Sequence, residues 1–276
     1  VGEAWRLAEF NAREYASADH SARETMKHFF TLHARRAICG AMAGALAFGM
    51  LPIGSGQAAE LSRATPQTKA IPISTQTIQE SGTAPSYYIE VKYPMAPAEG
   101  NNNSFNTLAD ERVKNLVAEF KNDLQPNDPI SGTEAVTNSL YVDYKVTYNA
   151  RNILSVQFTH SIYFAGAAHP NNYSSVLNYD LVANTQISLE GIFKPGSDYL
   201  DVLSTYCKRI LKRRGTLDSP QGADPKPENY AKWSIQRGGI TILFDPYQVA
   251  PYAAGRQECV VPVSVVRRLL VNPARW

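Results

Sequence analysis

The chain of 276 residues is 44% hydrophobic and 10% aromatic, which is enough to bury a core in one large or two small domains and too apolar for a disordered chain. Its formal charge of +2 argues against a nucleic-acid footprint, which wants a clustered basic excess. It also gives no hint of a strongly acidic or basic partner.

From Met26, a basic region with Lys27, Arg35 and Arg36 leads into an apolar stretch over residues 37–53, followed by the small residues Ser55, Gly56, Ala58 and Ala59. That order is the pattern of a secretory signal peptide, here spanning residues 26–59, with cleavage near Ala59. It predicts a periplasmic or secreted protein with no stable membrane span, and residues 1–25 then read as a non-functional upstream extension. The Arg35-Arg36 pair hints at twin-arginine export, but the flanking residues suit the general secretory route better. The competing reading keeps residues 1–36 in the cytoplasm and residues 37–53 as an uncleaved anchor, although Gly40, Gly44, Gly49 and Pro52 make that stretch short and weakly hydrophobic for a span.

Residues 60–85 are rich in Ser, Thr, Gln and Pro without any period and read as a linker. Tyr87, Ile89, Val91 and Tyr93 then alternate as in a half-buried strand. Ala109, Val113, Leu116, Val117, Phe120 and Leu124 recur at helical spacing, with Pro126 as a stop. A hairpin follows. Leu140, Val142, Tyr144, Val146 and Tyr148 share one face, Leu154, Val156, Phe158, His160, Ile162 and Phe164 share the next, and residues 149–152 make the turn. A further strand pair over 173–181 and 186–189 turns at Asn184. Ser197 is placed to cap a helix whose face is Leu200, Leu203, Cys207, Ile210 and Leu211, ended by Lys212, Arg213, Arg214 and Gly215. After a loop over 216–229 come a hairpin over 233–244, a strand over 258–261 and a short helix opened by Pro262. The expected fold is α+β, with antiparallel sheets, two main helices, a short C-terminal helix and two small subdomains, over 86–165 and 166–276.

Removal of the signal leaves Cys207 and Cys259, an even number in an oxidising compartment. They read either as a disulfide between helix and last strand or as two small buried apolar residues. His160, between Phe158 and Ile162, reads as a core histidine with one hydrogen bond. His169 lies in a loop before a strand, where function concentrates. Neither HxxxH nor CxxC is present, so no metal or cofactor is expected. There is no G-x-S-x-G elbow, and neither cysteine has an evident histidine partner, so no catalytic residues are assigned. With 15 tyrosines in the chain, Tyr173, Tyr179, Tyr247 and Tyr252 are the candidate platforms for sugar rings. The candidate ligand-binding set is His169, Asn171, Tyr173, Tyr179, Asp180, Tyr247 and Tyr252.

Several short motifs occur in order: Ala168-His169-Pro170, Asn178-Tyr179-Asp180-Leu181, Leu189-Glu190-Gly191-Ile192-Phe193, Ile240 to Phe244, Tyr247, Ala250-Pro251-Tyr252-Ala253-Ala254-Gly255 and Val261-Pro262. Together they resemble the extracytoplasmic domain of the anti-sigma factor RsiV, a domain also found beside the catalytic domain of the peptidoglycan deacetylase PdaC. The resemblance spans residues 87–270. It implies a two-part α+β sensor or binding domain outside the membrane, the region that in RsiV binds lysozyme. Val182-Ala183-Asn184-Thr185 departs from the Thr-Gly-Lys turn of that domain, and no deacetylase domain accompanies it.

The expected function is thus a non-enzymatic exported module that binds peptidoglycan or a wall-degrading protein such as lysozyme. One alternative is a membrane-anchored anti-sigma-like regulator, which requires residues 1–53 to be retained. The other is an envelope hydrolase with His169 as base and Asp180 orienting it.

Overall fold

The structure, a computed structural model, describes residues 70–97, 102–124 and 137–275; the upstream-extension, signal-peptide and anchor readings of residues 1–59 lie outside the described residues. The alternation at Ile89, Val91 and Tyr93 becomes strand β2 (Ser86–Met95), which pairs along its length with a preceding strand β1 (Ser74–Thr83). The linker reading of residues 60–85 is therefore corrected for its second half. β1 is a sheet edge, exposed on most of its length, so nothing selects apolar alternation there. Backbone pairing holds it, helped by Glu80, which accepts hydrogen bonds from Tyr87 Oη and Lys121 Nζ, both at 2.6 Å.

Helix α1 (Asn102–Asn122) buries Phe105, Ala109, Val113, Val117 and Phe120, the spacing of one helical face. It carries the chain across to β3 (Asn138–Ala150), which runs parallel to β2. The sheet is thus mixed, not antiparallel throughout as expected, because a crossover helix returns the chain in the same direction. Arg151 and Asn152, both at positive φ, turn the chain into β4 (Ile153–Tyr163), a left-handed pair that matches hairpin twist. β5 (Asn171–Asp180) and β6 (Thr185–Gln186) complete six strands in the order β1-β2-β3-β4-β5-β6. The expected division at residue 166 therefore falls inside the first sheet, since β5 pairs with β4 along its whole length. A register shift between Val146 and Tyr148 also turns Tyr148 away from the face of Leu140 and Val142, to pack on a second core.

That second core lies under helix α2 (Tyr199–Arg214) and a three-stranded antiparallel sheet, β7 (Trp233–Gln236), β8 (Gly239–Phe244) and β9 (Gln257–Pro262), followed by the short helix α3 (Val263–Val266). α2 ends as expected, with Gly215 at φ 71° donating to Leu211 and Lys212. Its start differs: Asp198 occupies the N-cap, and the Ser197 hydroxyl is buried with no hydrogen-bond partner among the described residues. Cys207 and Cys259 are free thiols, both fully buried in this core. A mutual hydrogen bond and burial push the Cys207 thiol far up. Among the described residues, no helix is long and apolar enough to cross a membrane.

β4 is buried on both faces because each layer claims one. Leu154, Val156 and Phe158 pack toward α1, while Ser155 and Gln157 meet β7. Ser155 Oγ donates to Asn178 Oδ1 at 2.6 Å and accepts from Ile235 N at 3.0 Å. Asn178 Nδ2 donates to the Trp233 carbonyl at 2.8 Å, and Gln157 Nε2 to Ser234 Oγ at 2.7 Å.

Asn178→Ala should lower unfolding free energy by about 2 to 3 kcal/mol in urea titrations, because it strands buried partners on both layers. Asn171→Ala, at the exposed start of the same strand, should stay within about 0.5 kcal/mol. Both core thiols should resist alkylation until the second core unfolds.

Candidate functional site

The start of β5 is an edge, since β6 pairs only with Tyr179 and Asp180. The turn after β8 docks there. Asp245 Oδ1 accepts the Ser174 N–H at 3.0 Å, and its other oxygen is ion-paired with Lys232, which lies 5.8 Å from the Tyr173 ring centroid. The loop over residues 245–256 is held in place by Gln248, whose Nε2 donates to the carbonyls of Gly222 and Asn229. Gly222 is needed at this approach, because a Cβ there would lie 1.7 Å from the Gln248 carbonyl oxygen.

Between this loop and β5 lies a cleft of about 380 Å³. Asn172, Ser174, Asp245, Tyr252, Arg256 and Glu258 are among its lining residues. Arg256 Nη1 donates to Ser174 Oγ at 3.2 Å and Thr159 Oγ1 at 3.3 Å, and Nη2 meets Glu258 Oε1 at 2.8 Å. Each charged side chain lining the cleft is therefore ion-paired, which leaves a polar surface of little net charge.

Beside the cleft stand three rings. His169 stacks on Tyr252 with centroids 4.0 Å apart, and Tyr247 lies 5.5 Å from Tyr252. Tyr252 Oη accepts from Asn172 Nδ2 at 2.6 Å and donates to the Pro170 carbonyl at 2.9 Å. His169 Nδ1 lies 2.9 Å from the same carbonyl, which can only accept, so Nδ1 carries the proton. Nε2 lies 3.3 Å from Tyr247 Oη. Tyr247 sits half-exposed at φ 70°, a conformation costing about 1 to 2 kcal/mol.

The structure thus brings together His169, Tyr173, Tyr247 and Tyr252 of the expected set. Asn171 is exposed at the start of β5, paired with Ile162. Tyr179 and Asp180 lie elsewhere: six residues of extended strand separate Tyr179 from Tyr173, about 20 Å. Tyr179 packs edge-on against Phe105 and donates to Asn184 Oδ1. Asp180 Oδ1 accepts the N–H groups of Val182 and Ala183, bracing the turn. The proposed pairing of His169 with Asp180 is therefore corrected. Sequence reading missed Asn172, Asp245 and Arg256, although Asp245-Pro246 after a strand and Gly255-Arg256 before one marked both ends of the loop.

His160 matches its reading as a core histidine. It is buried, stacked on Tyr173 with centroids 4.4 Å apart, and its Nε2 lies 2.8 Å from Ser175 Oγ. Its Nδ1 has no hydrogen-bond partner among the described residues. Burial, with Lys232 adding to it and Asp245 opposing, pushes its ionisation down to about 4. Burial likewise pushes Tyr173 up to about 12.

The segment over residues 190–264 matches the family described as a protein of unknown function (DUF3298), and residues 80–172 match the family described as deacetylase PdaC. The chain is 28% identical over 185 residues to the peptidoglycan-N-acetylmuramic acid deacetylase PdaC of Bacillus subtilis, covering 65% of this chain and 38% of that protein. It is 23% identical over 194 residues to the anti-sigma-V factor RsiV of the same organism, covering 67% and 66%. The chain thus spans under two-fifths of PdaC. A crystal structure of a DUF3298 protein from Bacteroides fragilis superposes with a TM-score of 0.57 at 17% identity, covering 75% of this chain and 96% of that one. These matches bear out the resemblance read from the sequence and the α+β fold.

Because an unfolded histidine takes its proton near 6.5 and buried His160 near 4, the unfolded chain binds more protons between those values, so stability falls as pH drops from 6.5 to 4. The loss should reach about 3 kcal/mol. Urea midpoints at pH 7 and pH 4.5 should draw closer together in His160→Gln.

Proposed function

We propose that this chain is an extracellular, cell-wall-related domain whose cleft binds a peptidoglycan glycan strand without breaking a bond in it. The observation that carries this reading is the His169–Tyr252 stack beside a polar, charge-balanced cleft. Aromatic faces pack against the apolar faces of sugar rings, while Asn172 and Arg256 offer donors for hydroxyl and acetamido oxygens. The pattern over residues 26–59 supports an exported location, and the name of the peptidoglycan deacetylase among the relatives supports a cell-envelope setting.

The residues of the cleft suit binding better than catalysis. Asp245 and Glu258 are each held by a cation, and Asp245 also accepts a backbone N–H. A general base or nucleophile needs a freer lone pair. The deacetylase among the relatives favours a second reading, an envelope hydrolase, and Ser175 Oγ beside His160 Nε2 is the geometry that would serve it. Against it, no carboxylate among the described residues bonds His160 Nδ1 to orient the ring.

Sedimentation with insoluble peptidoglycan, with lysozyme offered separately, tests the proposal. Tyr252→Ala should weaken peptidoglycan binding about tenfold, the equivalent of about 1.4 kcal/mol. Equal binding by that variant, or saturable binding to lysozyme alone, would overturn the glycan assignment. Release of acetate or sugar fragments that disappears in Ser175→Ala would establish the hydrolase instead. N-terminal sequencing of the envelope-associated protein separates both from an anchored anti-sigma-like regulator: a start near Glu60 excludes the anchor.

A further inference from the structure

On the opposite face of β5 from the glycan cleft, a second cleft of about 290 Å³ opens between α1 and the sheet. Its walls are Val113 and Leu116 from α1, Val142 from β3 and Phe158 from β4. Arg112, His160, Tyr173 and Ser175 supply the polar groups in this apolar setting. Arg112 reaches over from α1, donating from Nη1 to the Val176 carbonyl at 3.3 Å and from Nη2 to Gln186 Oε1 at 2.8 Å. Both acceptors are uncharged, and among the described residues no carboxylate pairs with this guanidinium. Five N–H groups leave it donors to spare.

Tyr173 also lines the cleft, and its hydroxyl makes no hydrogen bond with the described residues. Its ionisation lies at about 12, so it stays a donor at neutral pH. Ser175, on the same wall, is already engaged with His160. A half-buried cation without a counterion, set against apolar walls, is stabilised by an anion that brings its own apolar body. The charge gains a partner in a poorly hydrated place, and the walls shed water. A neutral apolar molecule satisfies the walls alone, and a small hydrophilic anion satisfies the arginine alone.

We propose that this cleft binds a medium-chain monocarboxylate, with the carboxylate on Arg112 and the Tyr173 hydroxyl and the chain against Val113, Leu116, Val142 and Phe158. This site is separate from the glycan cleft, although Tyr173 walls both. Titration calorimetry of the full chain with octanoate, octan-1-ol and acetate tests it.

Octanoate should bind saturably at one site, with octan-1-ol and acetate each at least tenfold weaker. Arg112→Gln should weaken octanoate at least tenfold, and Leu116→Trp, which fills the cleft, should abolish binding, while both variants still sediment with peptidoglycan. Absence of saturable octanoate binding to the wild type, octan-1-ol binding as tightly as octanoate, or undiminished binding by Arg112→Gln would overturn the proposal. Should Arg112→Gln fail to fold by circular dichroism, the comparison of octanoate with octan-1-ol on the wild-type chain decides.

Discussion

The two layers of this protein are joined by a buried polar seam in which Ser155 and Asn178 offer side-chain groups to the backbone of β7. Buried amides and hydroxyls are costly unless every partner is in place, so the seam admits one registration of the small sheet on the large one. That registration decides where Lys232 and Asp245 fall, because they stand just before β7 and just after β8. Asp245 then reaches the edge of β5 and caps an N–H that no neighbouring strand covers. The cleft is a by-product of that docking.

β5 is consequently the element that both clefts share. Its alternate residues look into different layers: Asn172, Ser174 and Asn178 toward the small sheet, Ser175, Leu177 and Tyr179 toward α1. Asn172 and Ser174 help build a polar, charge-balanced cleft, while Ser175 helps line an apolar one with a guanidinium that no carboxylate among the described residues pairs. Tyr173 stands between them, stacked on the neutral ring of His160. The strain at Tyr247 is kept because the loop around it is tied down through Gln248.

Much of the architecture was legible because it rests on local periodicity. α1, the β3–β4 hairpin, the C-terminus of α2 and the turn at Asn184 follow from spacing and from residues that tolerate a left-handed backbone. β1 was illegible because an exposed edge strand is selected for pairing and not for alternation. Tyr148 was misplaced because a bulge shifts register without leaving a mark in composition. The site was half legible. His169, Tyr173, Tyr247 and Tyr252 stood out as aromatic or imidazole groups near loops. Tyr179 and Asp180 looked equally eligible, yet a strand carries its two ends about 20 Å apart over six residues.

By itself, the sequence determined the α+β class, the helices, most strands and the resemblance to the RsiV and PdaC domain, because each depends on residues close together in the chain. Only the tertiary structure decided that β5 belongs to the first sheet, that Asp245 and Arg256 join His169 and Tyr252 around one cleft, and that Arg112 has no counterion among the described residues. The cleft and the setting of Arg112 arise from contacts between residues some 60 to 100 positions apart. Such contacts are set by how two layers satisfy buried polar groups, which no local pattern records.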